Sequence, residues 1–212
     1  MVHVMRIRRL AIALVIGGSL LFGSGLYLPA KATLAQVLMR QAWSETGSDP
    51  VRPWPWAETW PVARLRVPSH GVDQIVLAGD EGAALAFAPG HVDGTVLPGE
   101  LGNIVLAGHR DTVFAFLGKL KLGDELNLES ADGALRSYTV TATHVVDEHD
   151  TRVLDPTAES TLSLVTCYPL DGTRPGGPLR YVVSASAMND PFALPSQSER
   201  AQQTDNRESG HR

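Results

Sequence analysis

Thiols are nearly absent: Cys167 is the only cysteine among 212 residues. A lone thiol excludes an internal disulfide framework and any multi-cysteine zinc cluster. Charge of one sign is not concentrated either. The formal net charge is -5 and no long basic run occurs, so nucleic acid is not an expected partner. No internal repeat is present. Aromatic residues make up only 6% of the chain, yet all four tryptophans (Trp43, Trp54, Trp56, Trp60) fall between residues 43 and 60. Apolar content is 43%, enough for a real core in one ordinary domain with extensions.

One long apolar run exists. Residues 10–28 carry no charge. As a helix rising about 1.5 Å per residue they would roughly cross a bilayer's hydrocarbon core. Arg6, Arg8 and Arg9 precede the run, so the positive-inside rule keeps the amino terminus in the cytoplasm and exports everything after Tyr27. A competing reading takes Ala30-Lys31-Ala32 as a small-x-small cleavage site behind a removable signal peptide. The run is longer than the roughly 7 to 15 residues of a signal core, which favours an uncleaved anchor. Under either reading most of the chain faces an extracytoplasmic space that permits disulfides. A free thiol is a liability there unless it has a task.

Four segments follow: a cytoplasmic amino terminus and membrane anchor over 1–30, a helix and Trp/Pro-rich linker over 31–60, a folded domain over 61–188, and a polar, disordered tail over 189–212. Within the second segment, Leu34, Val37, Leu38 and Ala42 recur at helical spacing between Lys31 and Trp43. Pro50, Pro53, Pro55 and Pro61 then mark an extended linker. Its tryptophans either pack this arm onto the domain or form a membrane-interface belt. From Val62 the texture turns β-rich. Strands are expected at Val62–Val67, Gln74–Leu77, Asn103–Ala107, Glu125–Leu128, Ser137–Val146, Thr161–Thr166 and Leu179–Ala185, with helical turns near Glu81–Phe87 and Val113–Leu120. Many short strands with few helices describe an all-β domain, a closed barrel or a sandwich.

The chemistry centres on three strand ends. Cys167 follows Thr161–Thr166, where the backbone leaves the sheet, a rigid platform for a nucleophile. The bland alternative is a buried cysteine acting as a small hydrophobe. His109 follows Asn103–Ala107, and Gly108 before it allows a close backbone approach or an unusual turn. The other six histidines read as surface or satisfied core residues, His91 least securely. Arg180 opens the last strand, thirteen residues after Cys167, across a Pro/Gly-rich loop. A guanidinium there would meet developing oxyanion charge. Arg174, inside that loop, is its rival, but a strand fixes a side chain better than a loop does. Asp111 either orients His109 or caps a following helix, and capping is the reading preferred.

Ser163-Leu164-Val165-Thr166-Cys167, with Arg180 opening the next strand and Gly108-His109-Arg110 upstream, resembles the signature of the sortase family. That pattern runs Thr-Leu-x-Thr-Cys, so Ser163 departs from it conservatively. The resemblance extends through Pro89-Gly90-His91, Leu97-Pro98-Gly99-Glu100, Gly123-Asp124 and Gly176-Gly177-Pro178, over about residues 60 to 187. It implies a closed β-barrel of about eight strands, the missing one near Leu85–Ala88 or around Val96. It implies a cysteine transpeptidase with Cys167, His109 and Arg180 as the catalytic residues and Thr166 beside the scissile bond. The implied partners are a substrate protein with a carboxyl-terminal sorting signal, cut after Thr in a Leu-Pro-x-Thr-Gly-like motif, and an amine acceptor. The anchor and Trp/Pro arm look most like the single-pass sortases of Gram-negative bacteria, which places the chain in the inner membrane facing the periplasm. No cofactor is called for. Some sortases bind calcium, but Asp147, Glu148 and Asp150 read as a solvated acidic loop, and no metal is expected. Two rivals are a thiol hydrolase or cell-wall transpeptidase of another family, and a non-catalytic tethered barrel. The former usually carries His two residues before Cys, where this chain has Val165. The latter requires an unreactive Cys167.

Overall fold

The computed structural model describes residues 30–47, 49–172 and 176–188. Among them no helix is long and apolar enough to cross a membrane. The apolar run 10–28, Arg174 and the tail 189–212 lie outside the described residues.

Eight strands close into a barrel: β1 (Pro61–Val67), β2 (Val72–Ala78), β3 (Gly90–His91), β4 (Asn103–Ala107), β5 (Glu125–Ser130), β6 (Leu135–Asp147), β7 (Thr161–Tyr168) and β8 (Leu179–Ala187). The order around the ring is β1-β2-β3-β4-β7-β8-β6-β5. β2–β3 and β4–β7 run parallel and the other pairs antiparallel. Alternation drives this arrangement, because successive side chains of a strand point to opposite faces. In β1, Ala63, Leu65 and Val67 are fully buried while Val62, Arg64 and Arg66 are half-exposed. The inward residues form one core with Ile104, Leu106, Leu126, Tyr138, Leu162, Leu164 and Val183.

The seven strands expected from the sequence all occur, six of them one or two residues longer at an end. The eighth lies at neither expected place. Leu85 ends a short helix, α2 (Gly82–Leu85), and Val96 lies in irregular chain, whereas β3 is the pair Gly90–His91. Two residues carry no readable alternation. Gly90 lets the neighbouring chain come close to β3: a Cβ there would collide with the Gly79 carbonyl oxygen. Residues 110–116 are turns and Leu117–Lys119 is a 3-10 helix, so Asp111 starts no α-helix.

Before the barrel, α1 spans residues 30–45. Its buried face is Ala35, Met39 and Ala42, not the expected Leu34, Val37, Leu38 and Ala42 row. Met39 joins Ile75, Leu77 and Ala88 in a second core on the outer face of β2. Leu34 and Val37 remain 58% and 56% exposed. The Trp/Pro segment is also no free linker. Thr59 Oγ1 donates to the Ala78 carbonyl at 2.7 Å, and Ala78 N–H donates to the Trp60 carbonyl at 2.9 Å. Trp54 packs edge-on against Phe87 at 6.4 Å between ring centroids.

Candidate active site

The site begins with the alternation of β7. Leu162 and Leu164 point into the core and Thr166 is buried with them, so Ser163, Val165 and Cys167 share the outer face. On β4 the same rule turns Val105 and Ala107 outward beside them. On β8 it turns Arg180 and Val182 outward.

Register then sets the neighbours. Cys167 stands directly opposite Arg180 in the antiparallel β7–β8 pair. Directly opposite residues hold their Cβ atoms about 4.5–5.5 Å apart on one face. Parallel β4 and β7 align Ala107 with Val165. Beyond that rung, Gly108 N–H donates to the Val165 carbonyl at 3.1 Å, and Thr166 Oγ1 donates to the Gly108 carbonyl at 2.7 Å. His109 follows, two residues past the end of β4, in the loop that these two bonds hold against β7. The fold thus gathers the three residues at one barrel edge, with Cys167 half-buried and His109 exposed.

Gly108 is needed for close approach. A Cβ there would lie 2.8 Å from both the Val113 and Phe114 side chains. Those residues fold back under the His109 turn, whose carbonyl accepts from Phe114 N–H at 2.9 Å. Thr166 holds Gly108 from the interior, so its visible role is to fix the backbone before His109. Of the other histidines, His91 is buried, with Nε2 2.9 Å from the Val96 carbonyl, a satisfied core residue. His70 pairs with Asp124 at 3.1 Å.

Two residues not singled out by sequence reasoning hold this edge together. Arg110 is buried at 8% exposure and donates from Nη1 to the Pro169 carbonyl at 3.0 Å. It ties the loop carrying His109 to the loop leaving Cys167. Its signal was its place beside His109 in Gly-His-Arg. Glu148 accepts from Arg180 Nη2 at 2.7 Å, and its own N–H donates to the Pro178 carbonyl. Arg180 Nη1 also donates to the carbonyls of Gly177 (2.7 Å) and Leu179 (3.0 Å). The guanidinium is therefore oriented before any ligand arrives.

A groove of about 210 Å³ runs from Arg180 along this outer face, floored by Val105, Ala107 and Val165 and walled by Val153 and Leu154. The wall is the β6–β7 connection, which contains the 3-10 helix Thr151–Leu154. Asn103 pins it from below, its Nδ2 donating to the carbonyls of Val153 (2.7 Å) and Asp155 (3.1 Å). Asp150 caps the helix from in front. It takes hydrogen bonds from the Arg152 guanidinium at 2.6 and 2.8 Å and from Arg152 N–H at 3.2 Å. Those bonds, the guanidinium first, hold its carboxyl down to about 2. Among the described residues, no group of three or more His, Cys, Asp or Glu side chains is arranged to hold a metal ion.

The site thus holds an outward thiol, an imidazole in the loop after a neighbouring strand, and an oriented guanidinium at a groove with an apolar floor and Asp80, Asp147, Glu148 and Asp150 also in its lining. Comparison with known proteins gives the family. The sortase-domain family profile matches residues 65–188. The chain is similar to sortase D of Bacillus subtilis, 35% identical over 120 residues, covering 56% of this chain and 60% of that protein. It is also similar to sortase A of Listeria monocytogenes, 34% identical over 110 residues, covering 50% of this chain and 49% of that protein. The matched region thus spans between about half and three fifths of those curated relatives. Among solved structures, a sortase D5 transpeptidase of Clostridium perfringens aligns with a TM-score of 0.55 at 30% identity, over 61% of this chain and 79% of that one. Listeria monocytogenes sortase A aligns with 0.54 at 29%, over 61% and 88%.

Proposed function

Because this chain belongs to the sortase family of cysteine transpeptidases, we propose that it cuts a Leu-Pro-x-Thr-Gly-like sorting signal after Thr and passes the acyl group to an amine. We further propose that residues 10–28 anchor it as a single-pass protein of the inner membrane, with the barrel on the extracytoplasmic side. The observation that supports the first reading is the β7–β8 register, which sets Cys167 opposite Arg180, together with the hydrogen bonds that hold Gly108, the residue before His109, to Val165 and Thr166.

The groove accepts the substrate as an extended strand, with its apolar floor and wall taking the Leu and Pro side chains. Cys167 Sγ gives its proton to His109 and attacks the Thr carbonyl carbon. The resulting oxyanion takes hydrogen bonds from Arg180, in a position where fixed donors cost no reorganisation. His109 gives a proton to the departing amine, the C–N bond breaks, and a thioester to Cys167 remains. An incoming amine then attacks the thioester carbonyl and gives its proton to His109, the C–S bond breaks, and the departing sulfur takes that proton from His109 to return the thiol. The substrate protein and amine acceptor are the partners, and no cofactor enters.

The test is mass spectrometry of the full chain incubated with a Leu-Pro-x-Thr-Gly peptide, with and without an added amine. A thioester adduct on Cys167 and an amine-dependent ligated product are expected, and Cys167→Ala loses both. Cleavage with no ligated product at any amine concentration would make the chain a hydrolase. An unlabelled, unreactive Cys167 would leave a binding barrel.

A further inference from the structure

α1 presents an apolar strip that the fold does not use. Ala35, Met39 and Ala42 face the barrel, while Leu34 and Val37, three residues apart on the helix, are more than half exposed. Trp56, which lines a groove with Leu34, is 80% exposed, the most open large apolar side chain among those described. Leu34, Leu38, Trp54, Trp56 and Phe87 line an apolar groove of about 540 Å³ between α1, the Trp/Pro arm and α2. Lys31 closes one end, its Nζ 5.8 Å from the centre of the Phe87 ring. Glu58 is the one acidic residue in the lining.

The position of this strip along the chain identifies what covers it. The uncharged run ends at Leu28 and α1 begins at residue 30. Two connecting residues can span at most about 7 Å and four helical ones about 6 Å, so Leu34 lies within about 13 Å of the end of that run. The headgroup zone is about 5–8 Å thick on each side of a bilayer, and an interfacial helix sinks its apolar face about 5–10 Å into that boundary. Tryptophan favours the same zone, and a lysine at its edge suits anionic headgroups.

We propose that the exposed strip of α1, together with Trp56, docks on the lipid surface and holds the barrel against the bilayer. This rests on residues 10–28 being an anchor. The consequence for the active site follows from the ring order. α1 packs on β2, and β8 lies four places from β2 in either direction around the barrel. Docking through α1 therefore turns the Cys167–Arg180 edge away from the lipid, leaving the groove open to a substrate chain in the aqueous phase.

The experiment uses the full chain in vesicles of phosphatidylcholine and phosphatidylglycerol, with and without acyl chains brominated near the headgroup. Tryptophan emission is read for the wild type, Trp56→Phe and Leu34→Ser/Val37→Ser, and alkaline carbonate extraction is run in parallel. Both substitutions sit on exposed positions, and circular dichroism checks that each variant is folded. The expected result is bromolipid quenching of the wild type, with the quenched fraction reduced at least about twofold in each variant, since an interfacial Trp dominates it. A carbonate-resistant chain that quenches equally with and without Trp56 keeps the anchor and overturns the docking. A chain released by carbonate whose Trp56 is still quenched at neutral pH keeps the docking and overturns the anchor. Release without quenching overturns both. A concentration-dependent dimer in the same vesicles, with Trp56 insensitive to bromolipid, replaces the lipid with a second copy and overturns the proposal.

Discussion

Arg110 places a buried guanidinium between the two loops that carry His109 and Cys167, so its removal separates groups that must meet. Arg110→Ala is expected to lower the single-turnover cleavage rate by roughly ten- to a hundredfold, since a displacement of about 1 Å can cost that much. Stopped assays with the signal peptide at saturation check this, and an unchanged rate with intact folding would remove Arg110 from the site. Glu148 makes a different prediction. Its carboxylate offsets the Arg180 charge beside Cys167. Glu148→Gln keeps an acceptor for Nη2 but removes the negative charge, so alkylation of Cys167 by a neutral reagent at pH 7 should quicken by about two- to fivefold, within the range of a partly exposed charge pair. Slower alkylation in that variant would show that the carboxylate supports thiolate rather than opposing it. The placement of Cys167, His109 and Arg180 near strand ends was legible because each sits where an apolar run meets Gly or Pro, and strand ends leave that mark. Arg110 and Glu148 were not. An arginine in a polar turn and a glutamate in an acidic loop have the composition of solvated surface, and only the folded register brings them to Pro169 and Arg180.

The β6–β7 connection shows what an element adds to these residues. Its 3-10 helix Thr151–Leu154 walls the groove only while Asp150 caps it and Asn103 holds its carbonyls. Asp150→Ala should therefore raise the peptide's KM severalfold and leave kcat within about twofold, the pattern of lost uniform binding. Comparable falls in kcat would mean that the wall also aligns the scissile bond. The carboxyl of Asp150 is lowered to about 2 from its ordinary 3.8, so the cap is fully present above about 4 and lost only as pH falls through about 2. Amide exchange in residues 151–154 is expected to stay slow at pH 3. β1 and β2 carry a related pair, Arg64 on Asp73 at 2.6 and 2.8 Å. The Arg64 hydrogen bond lowers the Asp73 carboxyl, so the stabilisation is present above about 4 and lost in acid. Asp73→Asn should cost up to about 1 kcal/mol in urea unfolding at pH 7, and the gap should close near pH 2. At this scale the seven longer strands were readable from alternation. β3 was not, because two residues held by a glycine contact have no period, and of the helical turn expected at Val113–Leu120 only Leu117–Lys119 is helical, a 3-10 turn.

At the scale of the molecule, barrel closure was the feature least visible in the sequence. β1 pairs with β5 and β4 with β7 across more than fifty residues, and alternation says which face is buried but not which edge each strand meets. The division of the apolar residues into two cores was hidden for the same reason. Leu106 belongs to the barrel interior, and Met39 to a separate cluster that fastens α1 to the outer face of β2. Both side chains are fully buried, so truncation of either to Ala should cost about 2–5 kcal/mol locally. The two losses should appear in different places. Leu106→Ala removes contacts shared by β4, β7 and the strands beyond, and is expected to lower the midpoint of the whole cooperative transition. Met39→Ala weakens only the seam between α1 and β2, a unit joined to the barrel through few other contacts, such as Gln36 Nε2 to the Phe87 carbonyl at 2.7 Å and Thr59 Oγ1 to the Ala78 carbonyl. Local opening of such a unit is governed by its own contacts and not by the global stability. Limited proteolysis should therefore cut Met39→Ala in the Pro-rich arm between residues 46 and 58 faster than the wild type, leaving a barrel fragment that still unfolds at the wild-type midpoint. If both variants instead shift a single common transition by the same amount, α1 and the barrel are one folding unit. Docking through α1 would then load the barrel directly, not through a separable arm.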